Sequence, residues 1–429
     1  MGIVIALLLI VLVLGVPIGL AFAVAGILGV NIAGLPLSTV SSTPYYSLSS
    51  FPLLAIPFFI LAGQLMNRGQ LVKRLVDFVE LFMGWVAGRL GYITIIASAF
   101  LGAMTGSSVA TVAAIGGSVG DAMVKRGYKI DYVAALCASC GLLGVLIPPS
   151  IPLIVYGTAV GASVLDLFLA TLVPGILTTL AFLVVHRFLL SKALHDTEVA
   201  KSEMRSGRNP GDFRKNAPVT TKKALPALLM PMIILGGIYS GMVTPTEAAA
   251  VAGAYTLLVT VIGRLLKLSE VPSIFYESAR SVAAILVIVG FAGVFNRYLV
   301  LAQAPQQFAN YVQTVTSNRV IFLLMVNALL FVVGMFMETN AAVLLMGPLL
   351  APAARAFGMD SVHFGIIVVM NLQIGLITPP MAANIYVALK AVPGSQLPRM
   401  MPYQLWYLLS ALIILMLVTF VPFLSTWFR

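Results

Sequence analysis

The stretch Gly-Val-Leu-Ile-Pro-Pro-Ser at residues 144–150 interrupts an apolar segment that otherwise predicts one continuous helix, and it nearly recurs as Gly-Leu-Ile-Thr-Pro-Pro-Met at residues 375–381. Two successive prolines remove two backbone N–H donors and clash with the preceding turn, so the helix must open at each pair. Opened carbonyl groups are costly in an apolar environment unless a polar partner satisfies them. The paired breaks therefore predict two polar sites inside an apolar protein.

The composition around these breaks is that of a membrane protein. Of the 429 residues, 60% are hydrophobic and only 9% are charged, which is too little polar surface for a soluble protein of this size. Apolar runs of roughly 20 residues recur along the chain, and this is the length that a helix needs to cross a bilayer. The sequence therefore predicts an all-α polytopic membrane protein.

Hydropathy and helix-breaking residues together predict nine crossings, of which the first is expected to be a retained span and not a signal peptide. Two further segments are each about one and a half spans long and polar at the middle, which predicts re-entrant helical hairpins. Their tips are expected at Gly106–Ser108 and at Glu338–Asn340. The crossings lie near 3–29, 51–67, 130–162, 164–190, 224–242, 246–268, 280–302, 362–390 and 402–426, and the hairpins at 91–124 and 319–356.

The basic residues predict the orientation. With nine crossings and a cytoplasmic N-terminus, 21 of the 25 Lys and Arg residues lie in or near cytoplasmic loops, as the positive-inside rule requires. This bias accounts for the net charge of +11 without a nucleic-acid partner. The polar segment 191–223 is predicted to be a cytoplasmic linker between two halves.

The two halves predict an internal repeat. Gly375 and Gly144 are 231 positions apart, and the same offset places Ser108 on Thr339 and an amphipathic arm at 71–89 on a second arm at 302–318. The repeats are predicted to comprise residues 1–190 and 224–429. On the predicted topology the broken helices enter the membrane from opposite sides, so the repeats are inverted, which is typical of secondary transporters. A hydroxyl-bearing tip against opened carbonyls would suit a desolvated cation.

The chain resembles a known family along essentially its whole length: the large membrane subunit of tripartite ATP-independent periplasmic (TRAP) transporters. The most specific motifs lie at residues 106–116 (GSSVATVAAIG), 141–150 (GLLGVLIPPS), 337–352 (METNAAVLLMGPLLAP) and 375–387 (GLITPPMAANIYV). The resemblance implies an elevator-type, sodium-coupled importer of organic acids, such as C4-dicarboxylates or sialic acid, in the bacterial inner membrane. It implies a transporter and not an enzyme.

The resemblance also implies two protein partners, a small four-helix membrane subunit and a soluble periplasmic protein that binds the solute and delivers it. It further implies two sodium sites. One would use the first tip with backbone carbonyls of the first break, and the other would use Glu338 or Thr339 with the second break. The implied sodium ligands are Ser107, Ser108, Gly144, Ile147 and Pro149 in the first site, and Glu338, Thr339, Gly375, Thr378 and Pro380 in the second.

Three residues are candidates for contact with the solute. The resemblance implies an arginine at the position of Leu301 in sialic acid importers of the family. This chain has Arg297 one helical turn earlier, and its planar fork suits a carboxylate. The alternative for Arg297 is that it extends to the outer membrane interface. Asn340 and Asn384 lie beside the tip and the break, where each would face the solute or satisfy helix backbone.

Two other functions remain open from the sequence. The first is a stand-alone sodium-coupled anion symporter that has similar hairpins and needs no partner proteins. The second is an ion channel or a scaffold subunit with no transport cycle of its own. Dependence of uptake on a soluble binding protein would separate the first from the TRAP prediction, and saturable counterflow would argue against the second.

Overall fold

The computed structural model describes residues 2–83, 85–195 and 210–429, and within them the regular structure is helical. Short 3-10 turns lie at Phe51–Leu54 and Leu268–Glu270. The α-helices are α1 (Gly2–Val13), α2 (Ile18–Ile32), α3 (Ser38–Leu48), α4 (Ala55–Arg68), α5 (Leu71–Met83), α6 (Arg89–Thr105), α7 (Ser108–Lys125), α8 (Ile130–Cys140), α9 (Leu143–Leu146), α10 (Ile151–Val160), α11 (Val164–Ala193), α12 (Pro210–Tyr239), α13 (Pro245–Ile262), α14 (Val271–Leu301), α15 (Ala304–Val315), α16 (Arg319–Phe336), α17 (Thr339–Ala356), α18 (Ser361–Gly375), α19 (Ala383–Ala391), α20 (Leu397–Phe420) and α21 (Phe423–Thr426).

The described residues contain seven helices long and apolar enough to cross a membrane, or eight if one bent pair counts as a span. The bent pair joins Ile130–Leu146 to Ile151–Val160 at an angle of 44°. Six of the nine predicted crossings coincide with single helices of this set, and the predicted crossing 130–162 is the bent pair. The remaining helix of the set, Arg319–Phe336, is the first half of the predicted hairpin 319–356. The chain is therefore a multi-pass membrane protein.

Of the two other predicted crossings, the first differs from the structure, and the second is divided at the break that the sequence predicted. Residues 3–29 form two helices, α1 and α2, because Gly15 has a φ of +80° and Pro17 follows it at the start of α2. The predicted crossing 362–390 is divided into α18 and α19 by the non-helical segment 376–382, which contains Pro379 and Pro380. Neither α18 nor α19 is long enough to cross a bilayer alone.

Helix also covers stretches in which no helix was predicted. α3 lies in the segment between the first two predicted crossings and packs against α14. α12 begins at Pro210, so the later part of the predicted linker 191–223 is helical, while residues 196–209 of that linker are outside the described residues.

The two predicted arms are helices α5 and α15, each shorter than predicted.

Each predicted tip is a sharp boundary between two helices. Gly106 ends α6 in the left-handed conformation with a φ of +61°, and the Ser107 hydroxyl accepts a hydrogen bond from Ala110 N at 3.4 Å to cap α7. In the second half the Glu338 carboxylate accepts from Ala341 N at 3.1 Å to cap α17. Adding the offset of 231 to residues 107 and 110 gives 338 and 341, so the cap itself recurs.

The packing between helices follows the same offset. The offset relates α7 to α17 and α10 to α19, and the structure packs α7 against α19 and α17 against α10. It also relates α2 to α13 and α4 to α14, and the structure packs α2 against α14 and α4 against α13. The contacts between the halves are therefore reciprocal: a helix of the first half packs against a helix of the second, and the two equivalent helices pack against each other in the same way.

Candidate functional site

A cavity of about 380 Å³ lies where both tips approach α4 and α14. Its polar wall combines residues from the two tips with residues from α4, α14 and α18. No Lys, Arg or His is among the described residues that line it. The polar lining consists of Gln64, Asn67, Thr105, Ser107, Ser108, Ser281, Glu338, Thr339, Asn340 and Gln373.

The first tip is tied directly to the first break. Ile151 N, just after the Pro148-Pro149 pair, donates a hydrogen bond to Gly106 O at 3.1 Å. The Pro148–Pro149 peptide bond is cis. A Cβ placed on Gly106 would lie 3.0 Å from Pro149 O, so the tip backbone and the opened helix are in contact. One opened carbonyl, Leu146 O, is satisfied from outside by Thr171 Oγ1 of α11 at 3.1 Å.

Several oxygen atoms converge at this contact. Thr111 Oγ1 donates to Ser107 O at 2.9 Å and lies 3.1 Å from Thr105 Oγ1. A Cβ placed on Gly144 would be 2.3 Å from Thr111 Oγ1 and 2.8 Å from Ser107 O. Position 144 therefore needs glycine, since any side chain would displace these oxygens.

The second tip is tied to the second break in a similar way. Met381 N, just after Pro379 and Pro380, donates to Met335 O of α16 at 3.2 Å. The Pro379–Pro380 peptide bond is also cis. Thr378 Oγ1 donates to Ile374 O at 2.9 Å, which satisfies one carbonyl at the end of α18.

The polar groups of the second tip form a small network. Glu338 accepts hydrogen bonds from Ala341 N and, at 2.8 Å, from Asn340 Nδ2. Gln373 Nε2 donates to Thr339 Oγ1 at 3.2 Å. Asn340 Oδ1 and Gln373 Oε1 are buried atoms that have no protein hydrogen-bond partner. These two amide oxygens are free to accept from a solute or to contact a cation.

The structure brings some of the predicted site residues together and leaves others apart. Five of them line the cavity, namely Ser107, Ser108, Glu338, Thr339 and Asn340. The other predicted sodium ligands lie in the two breaks and are absent from the described cavity wall, namely Gly144, Ile147, Pro149, Gly375, Thr378 and Pro380. The assignment of all ten residues as sodium ligands stays a prediction.

Two of the three predicted solute contacts lie outside the cavity wall. Arg297 is exposed on α14. Asn384 is fully buried near Gly141, and neither polar atom of its side chain has a hydrogen-bond partner. Only Asn340 lines the cavity.

The sequence analysis missed five polar residues of the cavity wall, one of which, Thr105, directly precedes the first tip. Gln64 and Asn67 are one turn apart in α4, Ser281 lies on α14, and Gln373 lies near the end of α18. The sequence contained a signal for Gln64 and Asn67, because two amide side chains three positions apart in an apolar crossing share one helix face and so indicate a polar surface there. Ser281 carries no comparable signal, because only the tertiary packing of α14 brings it to the cavity.

A conventional metal centre is not formed by the described residues, since no group of three His, Cys, Asp or Glu side chains lies close enough to hold an ion. A cation at the first tip would have to be held by hydroxyl and backbone oxygens, and one at the second tip by hydroxyl, amide and backbone oxygens with the carboxylate of Glu338. Such oxygen ligands, supplied by unwound helices, coordinate sodium ions in secondary transporters.

A multi-pass helical fold with two broken helices and two capped tips that line a polar cavity has the architecture of a secondary transporter. The crystal structure of the Alcanivorax borkumensis YdaH transporter has the same overall fold: the TM-score is 0.62 and the sequence identity 16%, over 91% of this chain and 90% of that chain.

The chain belongs to the family described as the tripartite ATP-independent periplasmic transporter, DctM component, which matches residues 5–424. This confirms the family predicted from the sequence, which is a family of transporter permeases and not of enzymes.

Several members of this family are similar in sequence. The isethionate TRAP transporter permease protein DctMQ of Oleidesulfovibrio alaskensis is 38% identical over 419 residues, 97% of this chain and 64% of that protein. The chain thus spans less than two thirds of that relative. The C4-dicarboxylate large permease protein DctM of Pseudomonas aeruginosa is 38% identical, over 87% of this chain and 85% of that protein. The sialic acid large permease protein SiaM of Vibrio cholerae is 35% identical over the same shares of the two chains.

Proposed function

We propose that this chain carries an organic acid across the bacterial inner membrane by an elevator movement, and that a sodium gradient drives this transport. The observation that supports this most strongly is the cavity between both tips, since two capped tips, two opened helices and a polar space between them are the parts that such a transport cycle needs. The N-terminus is proposed to be cytoplasmic on the basis of the Lys and Arg distribution.

The proposed solute is an organic acid, because the three relatives above are named for isethionate, C4-dicarboxylates and sialic acid. The cavity wall offers hydroxyl and amide groups and the first turns of α7 and α17, whose N-terminal ends carry partial positive charge. Asn340 is the predicted solute contact that this cavity favours. Bound sodium would supply the positive charge that the described cavity wall lacks.

The proposed energy source is sufficient for accumulation. Each sodium ion that moves down a potential of 100 mV contributes about 2.3 kcal/mol, so two ions offset the charge of a dicarboxylate and the sodium concentration gradient drives its accumulation. Thr111 at the first break and Thr378 at the second each carry a hydroxyl oxygen that a sodium ion could use.

The proposed movement divides the cavity wall in two. α4 and α14 would stay fixed, while the tips and broken helices would slide past them as one unit. Small residues of α7 line the cavity, including Ala110, Ala113 and Ala114, and small side chains permit close approach and sliding between helices. The proposed partners are a small four-helix membrane subunit and a soluble periplasmic binding protein.

The test is uptake into liposomes that contain this chain and the small membrane subunit. Labelled isethionate, succinate and N-acetylneuraminate are offered with and without a sodium gradient, and with and without the binding protein. We expect that at least one acid is taken up, and that its uptake needs both the sodium gradient and the binding protein. Uptake that needs sodium but not the binding protein would contradict the tripartite assignment, and uptake that ignores sodium would contradict the proposed coupling.

A further inference from the structure

An ion pair joins the two helices that form the α4–α14 side of the cavity. Arg68, the last residue of α4, holds Glu277 of α14 with a distance of 2.7 Å between Nη2 and Oε1. Arg68 is one turn beyond Gln64, and Glu277 is one turn before Ser281, so each charged residue shares a helix face with a cavity-lining residue. The pair therefore lies at the rim of the cavity.

Both side chains of the pair are exposed. The relative accessibility of the side chains is 55% for Arg68 and 41% for Glu277. Exposed ion pairs contribute only about 0–1 kcal/mol to folding. The arginine can therefore exchange Glu277 for another carboxylate at little cost in stability.

A solute anion that passes the rim is stabilised by a positively charged side chain there. The described residues of the cavity wall include no basic side chain, so an acid that enters or leaves on this side meets Arg68 as the cation adjoining Asn67 and Gln64. The guanidinium fork binds carboxylates and sulfonates with two parallel hydrogen bonds, which a neutral amide cannot match.

We propose that Arg68 binds the anionic group of the solute transiently at the mouth of the cavity, and that Glu277 occupies Arg68 when the solute is absent. The site takes a carboxylate or a sulfonate. The proposal rests on the proposed transport function, and it places the solute-binding arginine on α4 and not at Arg297.

Two single substitutions separate this role from a merely structural ion pair. Arg68→Gln removes the cation, so the acid concentration that half-saturates equilibrium exchange should rise about tenfold, the value of one charge-assisted hydrogen bond. Glu277→Gln removes the internal competitor, so the same concentration should fall. A structural pair would give changes in the same direction, because either substitution breaks it. The proposal would be overturned if the two substitutions changed the half-saturating concentration in the same direction, or if neither changed it.

Arg280→Gln is the matched control, since it removes one exposed arginine from the same helix beside Ser281. We expect it to change half-saturation less than twofold, because an exposed charge that does not bind the anion acts only through a screened potential. An effect of Arg280→Gln as large as that of Arg68→Gln would show that net charge, and not binding by Arg68, controls exchange.

A second measurement does not depend on transport. Ser281→Cys places a thiol on the cavity wall, and its modification by a negatively charged methanethiosulfonate reagent is followed with and without succinate, isethionate or N-acetylneuraminate. Cys137 and Cys140 are buried, so they do not compete. At least one acid should slow modification, and Arg68→Gln should abolish that protection.

Protection that survives Arg68→Gln, or modification that no acid slows, would overturn the mouth site even in an active transporter. Arg68-dependent protection in a protein that exchanges none of the acids would instead contradict the proposed function and leave the mouth site in place.

Discussion

Thr378 shows how one hydroxyl can serve both a helix and a bound cation. Its O–H donates to Ile374 O at 2.9 Å, which satisfies a carbonyl at the end of α18. The lone pairs of the same oxygen stay available at the second break, because a donor uses only its hydrogen. The role of Thr378 as a sodium ligand is therefore compatible with its hydrogen bond.

Thr378→Val should weaken the sodium dependence of uptake. The substitution keeps the shape of the side chain but deletes its oxygen, so the sodium concentration for half-maximal uptake should rise about tenfold. Thr179→Val is the control, because Thr179 makes the same kind of bond to Gly175 O at 2.8 Å within α11. Unchanged sodium activation in a folded Thr378→Val protein would remove Thr378 from the site.

Asp360 contributes to stability through a cap and an ion pair at the start of α18. Its carboxylate accepts from Val362 N and His363 N and pairs with Arg429. Partial burial would raise the pKa of Asp360, but the hydrogen bonds from His363 N, Arg429 and Val362 N outweigh it and lower the pKa below the ordinary value of 3.8. The stabilisation is present above that value and is lost as the pH falls through the lowered pKa of the folded state.

Asp360→Asn should reduce stability at pH 7 but not in acid. Asn caps a helix as well as Asp, so the substitution removes only the charge, which for this exposed pair is worth at most about 1 kcal/mol. Thermal unfolding of detergent-purified protein should give a lower midpoint for Asp360→Asn at pH 7, and the difference should shrink below about pH 4. Asp121→Asn, at an exposed position of α7, is the control. A difference that does not depend on pH would contradict the assignment.

Two helices of the second half approach each other at a pair of glycines. A Cβ placed on Gly375 of α18 would lie 2.2 Å from Gly334 C and 2.5 Å from Gly334 Cα of α16. Both atoms belong to backbone, so neither can move aside without shifting a helix. The contact fixes α16, which leads into the second tip, against the end of α18, where the second break begins.

Gly375→Ala should therefore destabilise the protein by roughly 1–3 kcal/mol, the usual cost of overpacking. Gly117→Ala in α7 is the control, because nothing lies within 4 Å of the added methyl group and alanine favours helix. Thermal unfolding in detergent compares the two variants. A Gly375→Ala protein as stable as Gly117→Ala would mean that α16 and α18 are further apart than the structure has them.

The elements that the sequence predicted well are those fixed by local chemistry. Pro-Pro pairs open helices wherever they occur, and a small or polar interruption between apolar runs marks a tip, so both breaks and both tips were found. The break at Gly15 and Pro17 carried the same kind of signal and was missed, because the apolar run around it is long enough to be one span.

The site was only partly predictable, because the sequence gives the face of a helix but not what that face meets. Arg297 was a candidate for the solute or for the outer membrane interface on the basis of its place in the sequence; the structure leaves it exposed on α14 and outside the described cavity wall, so its role stays a prediction. Gln64 and Ser281 line the cavity because α4 and α14 pack beside the tips. That packing joins residues more than 200 positions apart, and helical periodicity does not report such contacts.

At the scale of the whole molecule, the recurring offset of 231 organises packing as well as sequence. Equivalent helices exchange partners between the halves: α7 packs against α19 and α17 against α10, while α4 packs against α13 and α14 against α2. We infer an internal duplication from this reciprocity. The proposed movement would slide the tips and broken helices past α4 and α14.

A cross-link between these two parts tests the proposed movement most directly. A Cβ placed on Gly63 of α4 would lie 3.6 Å from Thr105 Cβ of α6, within the range of a disulfide. Gly63→Cys with Thr105→Cys would therefore join the fixed and moving parts. The control pair is Gly253→Cys with Phe58→Cys, whose Cβ atoms would lie 3.9 Å apart; Gly253 is on α13, which packs against α4 and would stay fixed with it. Both pairs are made with Cys137 and Cys140 replaced by alanine.

Sodium-driven uptake is then measured in liposomes before oxidation, after oxidation and after reduction. The account predicts that oxidation stops uptake in the Gly63–Thr105 pair, that reduction restores it, and that the control pair transports throughout. Full uptake by completely cross-linked Gly63–Thr105 protein would contradict the account, because the tips would then transport without moving past α4.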